Sequence, residues 1–179
     1  MQARGTLMIE HRLIERMLET VKDALIKIDA EDKIDPVFVD TVVDFIKFYA
    51  DRTHHGKEED ILFRELKNKP LSAEDRRIMD ELIEDHIFGR RTTVALVDAN
   101  TRYRAGDHGA LSEIADKLQT LVKFYPKHIE KEDKVFFPNS KRYFTDDEDR
   151  QTLAEFLEFD RKMIHEKYTA TVEAIEKNK

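Results

Sequence analysis

His55-Gly56-Lys57-Glu58-Glu59-Asp60-Ile61-Leu62-Phe63 returns later in the chain as His128-Ile129-Glu130-Lys131-Glu132-Asp133-Lys134-Val135-Phe136, with His, Glu, Asp and Phe at the same offsets. Each copy follows an apolar run. Val39, Val42, Phe45, Ile46 and Tyr49 precede the first; Leu111, Ile114, Leu118, Leu121, Phe124 and Tyr125 precede the second. Apolar residues three and four apart form one stripe of an α-helix, so each copy sits late on a long amphipathic helix. Two further stripes of the same period lie outside the echo. Leu7, His11, Ile14, Leu18, Val21 and Leu25 predict a helix from about Thr6 to Asp29, and Met79, Leu82, Ile83, His86, Val94 and Val97 predict one ending near Arg104. Each carries one histidine on its apolar stripe, preceded by an acid (Glu10, Asp85).

The punctuation agrees. Asp35-Pro36 is a helix start, with Asp as cap and Pro in the first turn. Asn68 to Leu71 breaks that helix. Ser72 with Asp75 opens the third, Gly106 and Gly109 mark the next turn, and the fourth helix is expected to stop before Pro138. Thr145 with Glu148 is a capping box. It starts a fifth helix through Leu153, Phe156, Leu157, Met163, Ile164 and Tyr168. No strand alternation is evident. Four long helices with short connections predict an all-α, up-down-up-down four-helix bundle of about residues 6–138, with an additional C-terminal fifth helix over about 145–177 packed outside it or across an end. Nothing reads as a linker, so the expectation is a single domain over residues 1–179.

Composition narrows the chemistry. Charged residues are 39% of the 179 and hydrophobic ones 40%, a balance suited to solvated amphipathic helices. The formal net charge of -7 and the lack of a basic stripe leave no nucleic-acid footprint. No apolar run reaches membrane-span length and the N-terminus has no signal pattern, so no membrane partner and a cytoplasmic location are expected. Cysteine is absent, which removes disulfides, thiolate nucleophiles and thiolate-bound metals together. Any metal must be held by His, Asp and Glu, which points to iron, manganese or zinc.

The candidate ligands follow from the stripes. Residues four apart share a helix face, as do His55 with Glu59 and His128 with Glu132. With His11 and His86 these make six polar groups directed into an apolar core. Buried carboxylates without partners cost several kcal/mol each. Two cations, with both glutamates bridging them at the roughly 3.5–4 Å of two-metal sites, would remove that cost. His54 is turned about 100° from His55 and is expected outside or at a helix contact, with Glu58 its partner four residues on; orienting a ligand is its functional alternative. His108, in the glycine turn, and His165, on the fifth helix, are expected on the surface. Tyr49 and Tyr125 lie near the inward stripes.

Through Glu10-His11, His54-His55-Gly56-Lys57-Glu58-Glu59, Asp85-His86 with Gly89-Arg90, and His128 to Pro138, the chain resembles the hemerythrin-like (HHE cation-binding) domain family over about residues 6 to 138. The resemblance implies a di-iron centre with bridging carboxylates and a bridging oxo or hydroxo group. It implies metal ligands His11, His55, Glu59, His86, His128 and Glu132. Oxygen-carrying hemerythrins have an extra histidine where this chain has Leu82, which implies one protein ligand fewer and a more open coordination sphere. The ligand spacing is similar to that of RIC-type iron-centre repair proteins, whose N-terminal cysteine-bearing segment has no counterpart in this sequence.

These readings favour a protein that binds, senses or detoxifies a small diatomic or peroxide ligand: dioxygen, nitric oxide or peroxide. Iron storage, delivery or iron-centre repair is the first alternative. A di-iron peroxidase-type enzyme is less favoured, because ferritin-like oxygenases use more carboxylates and Glu-x-x-His spacing. A metal-free helical interaction module is the plainest alternative. Either a monomer or a homodimer fits the sequence.

Overall fold

The computed structural model describes residues 2–177, with side chains to Lys167. Helix α1 spans Ala3–Glu31 and ends at Asp32, whose left-handed φ of 50° turns the chain out. Helix α2 covers residues 36–67 as one rod of changing pitch. It is α-helical over Pro36–Asp44, π-helical over Phe45–His55 and Glu58–Phe63, and closes with an α turn, Arg64–Lys67. Its cap is the expected one, Asp35 accepting from the Val37 N–H at 2.9 Å. Helix α3 is Ala73–Arg104, with the Ser72 hydroxyl accepting from the Asp75 N–H at 3.1 Å.

Helix α4 covers residues 110–140, with a π segment, Glu132–Phe136, between Ala110–Lys131 and Phe137–Ser140. It therefore runs past Pro138, where an end was expected. The π segment leaves Pro138 in the first turn of a fresh α stretch, where a missing N–H costs nothing. A 3₁₀ turn, Lys141–Tyr143, leads to helix α5, Asp146–Lys177. The capping box forms: the Thr145 N–H donates to Glu148 at 2.8 Å and the Glu148 N–H to the Thr145 hydroxyl at 3.3 Å. Among the described residues there is no strand, and no helix long and apolar enough to cross a membrane.

The described residues thus form an all-helical bundle of five helices. α4 packs against α1 and α3, α2 against α3, and α5 lies along α1 and the π-helical part of α2. Two apolar cores form inside. One is built around Ile14, Leu18, Val42, Leu96, Ile114 and Leu121. The other is built around Leu7, Leu62, Phe63, Met79, Leu82 and Phe136. The gap between them is where each of the first four helices carries its polar insertion. His11 lies between Leu7 and Ile14, His54 to Glu58 between Ala50 and Ile61, His86 between Leu82 and Leu96, and His128 with Glu132 between Tyr125 and Phe136.

Several stripe residues face the other way. Val94 and Val97, expected inward, are 68% and 38% exposed, and Leu96 is buried in their place. On α5, Phe156 and Met163 are buried but Leu157 and Ile164 are exposed, because this helix covers the bundle with one narrow face. The Tyr168 side chain lies outside the described residues.

Candidate metal centre

Five imidazoles and two carboxylates meet in the layer between the cores: His11, His54, His55, His86, His128, Glu58 and Glu132. All are at most 2% exposed. They divide into two groups that share carboxylates. Ligand atoms of His55, Glu58, His86 and His128 lie within 4.8 Å of one another, as do those of His11, His54, Glu58 and Glu132. Glu58 turns one oxygen to His86 Nε2 at 3.3 Å and the other to His54 Nε2 at 3.8 Å. Glu132 turns one oxygen to His11 Nε2 at 3.1 Å, and the other to His128 Nε2 at 3.3 Å and His86 Nε2 at 3.8 Å. Each carboxylate therefore spans both groups.

The Nε2 atoms face inward because every Nδ1 is held outside. His11 Nδ1 meets Asp133 at 2.7 Å, His54 meets Glu10 at 2.8 Å, His86 meets Glu59 at 2.7 Å and His128 meets Asp85 at 3.3 Å. With a carboxylate as partner, Nδ1 carries the hydrogen and donates it, which leaves the Nε2 lone pair for the interior. These four contacts form a closed circuit. Glu10 of α1 holds a histidine of α2, Glu59 of α2 one of α3, Asp85 of α3 one of α4, and Asp133 of α4 one of α1. His55 is the exception: Asp51, one turn earlier on its own helix, holds it at 3.3 Å.

Each carboxylate of the circuit also takes a cation from the helix whose histidine it holds. Asp133 pairs with Arg12 and Glu10 with Lys57, while Arg90 reaches Glu59 and Asp51, each at 2.7 Å, and Lys131 reaches Asp85 at 2.9 Å. These cations offset the burial of the outer acids. Burial raises the Glu10, Glu59 and Asp85 carboxyls, but their histidine and Lys or Arg partners leave each below its ordinary value.

The interior electrostatics ask for positive charge. Burial works against a charged His11, yet Asp133 and Glu132 reverse it and raise the ring to about 10. His86 is likewise raised well above its usual value against burial, by Glu132, Glu58 and Glu59. Burial, then the neighbouring His86 and His128, push His55 well below. Glu132, which burial would raise, is held well below the carboxylate range by His128 and His11.

The residues fit a pair of metal ions. His55 Nε2, His86 Nε2, His128 Nε2 and both oxygens of Glu58 and Glu132 are buried with no hydrogen-bond partner. Buried polar atoms are almost always paired, so the gathering of these at one place fits a site that would hold a cation. The Nε2 atoms of His11 and His54 face each other at 2.9 Å. Ligands about 2.1 Å from one ion lie roughly 3–4 Å apart, and the carboxylate–imidazole distances here, 3.1 to 3.8 Å, fall in that range.

Of the six residues expected from the sequence, the structure brings His11, His55, His86, His128 and Glu132 together. It leaves Glu59 at the rim, on His86 Nδ1 and Arg90. Glu58 takes the inward place and His54, expected outside, joins as a fifth imidazole. The reason is the π-helical pitch of residues 45–63: an i→i+5 ladder uses about one more residue per turn than i→i+4, so a 3.6-residue projection lands one position off. The signal was present, since His54 and Glu58 repeat the spacing of His128 and Glu132. Leu82 is buried in the apolar core. His108 and His165 are exposed.

A cavity of about 460 Å³ opens beside the cluster, walled by Ile46, Gly89, Thr93 and Val97 and reaching His55 and Tyr125. Tyr125 is wholly buried and stacks on His55 with ring centres 6.5 Å apart; burial pushes its hydroxyl above the usual phenol range.

The family model described as the hemerythrin HHE cation binding domain matches residues 3–140, which contain the whole cluster and stop short of α5. No curated protein and no solved structure matches the chain.

Proposed function

The chain belongs to the hemerythrin HHE cation-binding family, and on that premise we propose that it is a non-haem di-iron protein that binds, senses or detoxifies dioxygen, nitric oxide or peroxide. The observation that carries this is the convergence of unpaired Nε2 and carboxylate atoms between two apolar cores. His55, His86 and His128 would hold one ion, His11 and His54 the other, with Glu58 and Glu132 bridging. The helices are read as an up-down-up-down bundle, the course that brings all four insertions to one level. Two irons held there would supply adjacent redox-active positions for a small ligand.

The protein's own groups do the rest. The outer carboxylates fix each ring's tautomer and aim. The second group has two imidazoles against the first group's three, so it is the less saturated one. The apolar cores exclude water, and the cavity beside His55 suits entry of a small, weakly polar molecule. Its walls offer no concentration of charge beyond the Asp51–Arg90 pair and Lys47.

Iron storage, delivery or repair is the alternative reading. Burial of every ligand favours retention over release, and for that reason it stands second. Protein from iron-supplemented cells should carry close to two irons per chain, with spectra that respond to dioxygen, nitric oxide or peroxide. Near-zero iron that iron(II) cannot restore would remove the di-iron reading. Two irons inert to all three oxidants would favour storage.

A further inference from the structure

The four joints of the carboxylate circuit are alike in chemistry but not in surroundings. Arg12, Arg90 and Lys131 stand at the rim with side chains 55%, 38% and 30% exposed. Lys57, the cation of the joint that aims His54, is 0% exposed. Helix α5 makes the difference. Asp160 lies 2.8 Å from Lys57 Nζ, and the Phe156 ring lies 5.9 Å from the same atom. Phe159 presses on Gly56 so closely that a Cβ there would meet its Cζ at 2.8 Å. Gly56 and Lys57 connect the two π segments, between His55 and Glu58. α5 thus bears on the chain between the ligands of the second group, and it lies beyond residues 3–140, which match the family.

We infer that α5 is a positioning element for the second metal position, the one served by His11 and His54, and that docking of α5 and occupation of that position are coupled. The inference rests on the two-metal reading above. The physical link is short. A buried ammonium needs its anions. With Asp160 in place, Lys57 is fixed between two carboxylates and holds Glu10 against His54 Nδ1. Without Asp160, Lys57 is left with Glu10 alone, and the Glu10–His54 contact loses its fixed geometry. Phe159 on Gly56 braces the short α step, Gly56 and Lys57, between the two π segments, and so fixes the turn that aims His54. Coupling of this kind is reciprocal, so the second ion must in turn tighten α5.

The test is anaerobic titration of the metal-free full chain with iron(II), repeated with zinc(II), following each equivalent by calorimetry. Asp160→Asn and Phe159→Ala are compared with wild type and with Glu158→Gln, an exposed control on the same helix. Loss of an outer partner typically costs 10–100-fold in metal affinity. The expected result is that the second equivalent weakens by about that factor in both variants while the first stays within about twofold, and that the control matches wild type. Unchanged affinities in both variants, or equal loss at both equivalents, would overturn the inference and leave the di-iron reading intact. Wild type that takes up fewer than two ions would overturn the two-metal reading itself, and this inference with it. Hydrogen exchange on wild type gives a check free of mutation. Amides of residues 146–167 should gain protection with the second equivalent, and no gain would count against coupling.

Discussion

Glu58 and Glu59 are chain neighbours with different expected phenotypes. Glu58→Gln removes the carboxylate charge that both groups share, so on the two-metal reading metal content should fall from two ions per chain to one or none. Glu59→Gln disturbs only the partner of His86 Nδ1, so stoichiometry should stay at two while affinity drops about 10–100-fold. Equal stoichiometry loss in both, by elemental analysis, would place the rim and the interior wrongly. The sequence showed a His/Glu cluster at this level but not which of two adjacent registers faces inward. His54 with Glu58 and His55 with Glu59 have identical spacing, and only the pitch of the helix separates them. Asp75 offers a prediction away from the metals. It is buried among Ser72, Tyr143, Arg142 and Asn139, and these hydrogen bonds, acting against burial, lower its carboxyl to about 2. A folded-state value below the unfolded one means the stabilisation is present above about pH 4 and is lost as pH falls from there toward 2. Asp75→Ala should cost about 1–3 kcal/mol at neutral pH and flatten the acid limb of the stability curve. An acid limb identical to wild type in chemical denaturation would contradict this.

At the scale of elements, caps and breaks were legible and pitch was not. Asp35, Ser72 and the Thr145–Glu148 box sit at helix starts as local chemistry dictates, because a cap is decided by residues three apart. The π segments depend on contacts across the bundle, which no single stretch reveals. Val94 and Val97 went the same way: their period fits a buried stripe, but their side of α3 borders the cavity. Gly89 lies on that wall, in mid-helix, where a Cβ would meet only Phe124 Cε1 at an ordinary 3.5 Å. Gly89→Ala should therefore stabilise the protein by up to about 1 kcal/mol through helix propensity. Gly89→Leu should fill the cavity and slow the reaction of the iron form with small oxidants at unchanged iron content. Stopped-flow rates equal to wild type would show that ligands enter elsewhere.

For the whole molecule, the polar layer joins the two apolar cores of the bundle. Both cores end on the same layer of imidazoles and carboxylates, so metal bound there would add directly to fold stability. At free metal a hundred times Kd each ion adds about 2.7 kcal/mol. For a chain of this size each kcal/mol moves Tm by about 2–4 °C, so the loaded protein should melt roughly 10–20 °C above the metal-free one. Scanning calorimetry that finds the two within about 3 °C would be incompatible with a buried two-ion centre. The closing contact of the carboxylate circuit joins His11 to Asp133, the first helix to the fourth. Chains emerge from the ribosome at about 5–20 residues per second, so a nascent chain holds His11, His54 and His55 for several seconds before Glu132, which spans both groups, exists. No complete pair of positions is available to a passing ion during that interval. On the two-metal reading, metal selection would be deferred until synthesis has passed Asp133, and would be made by a finished cavity instead of a growing strand of loose imidazoles.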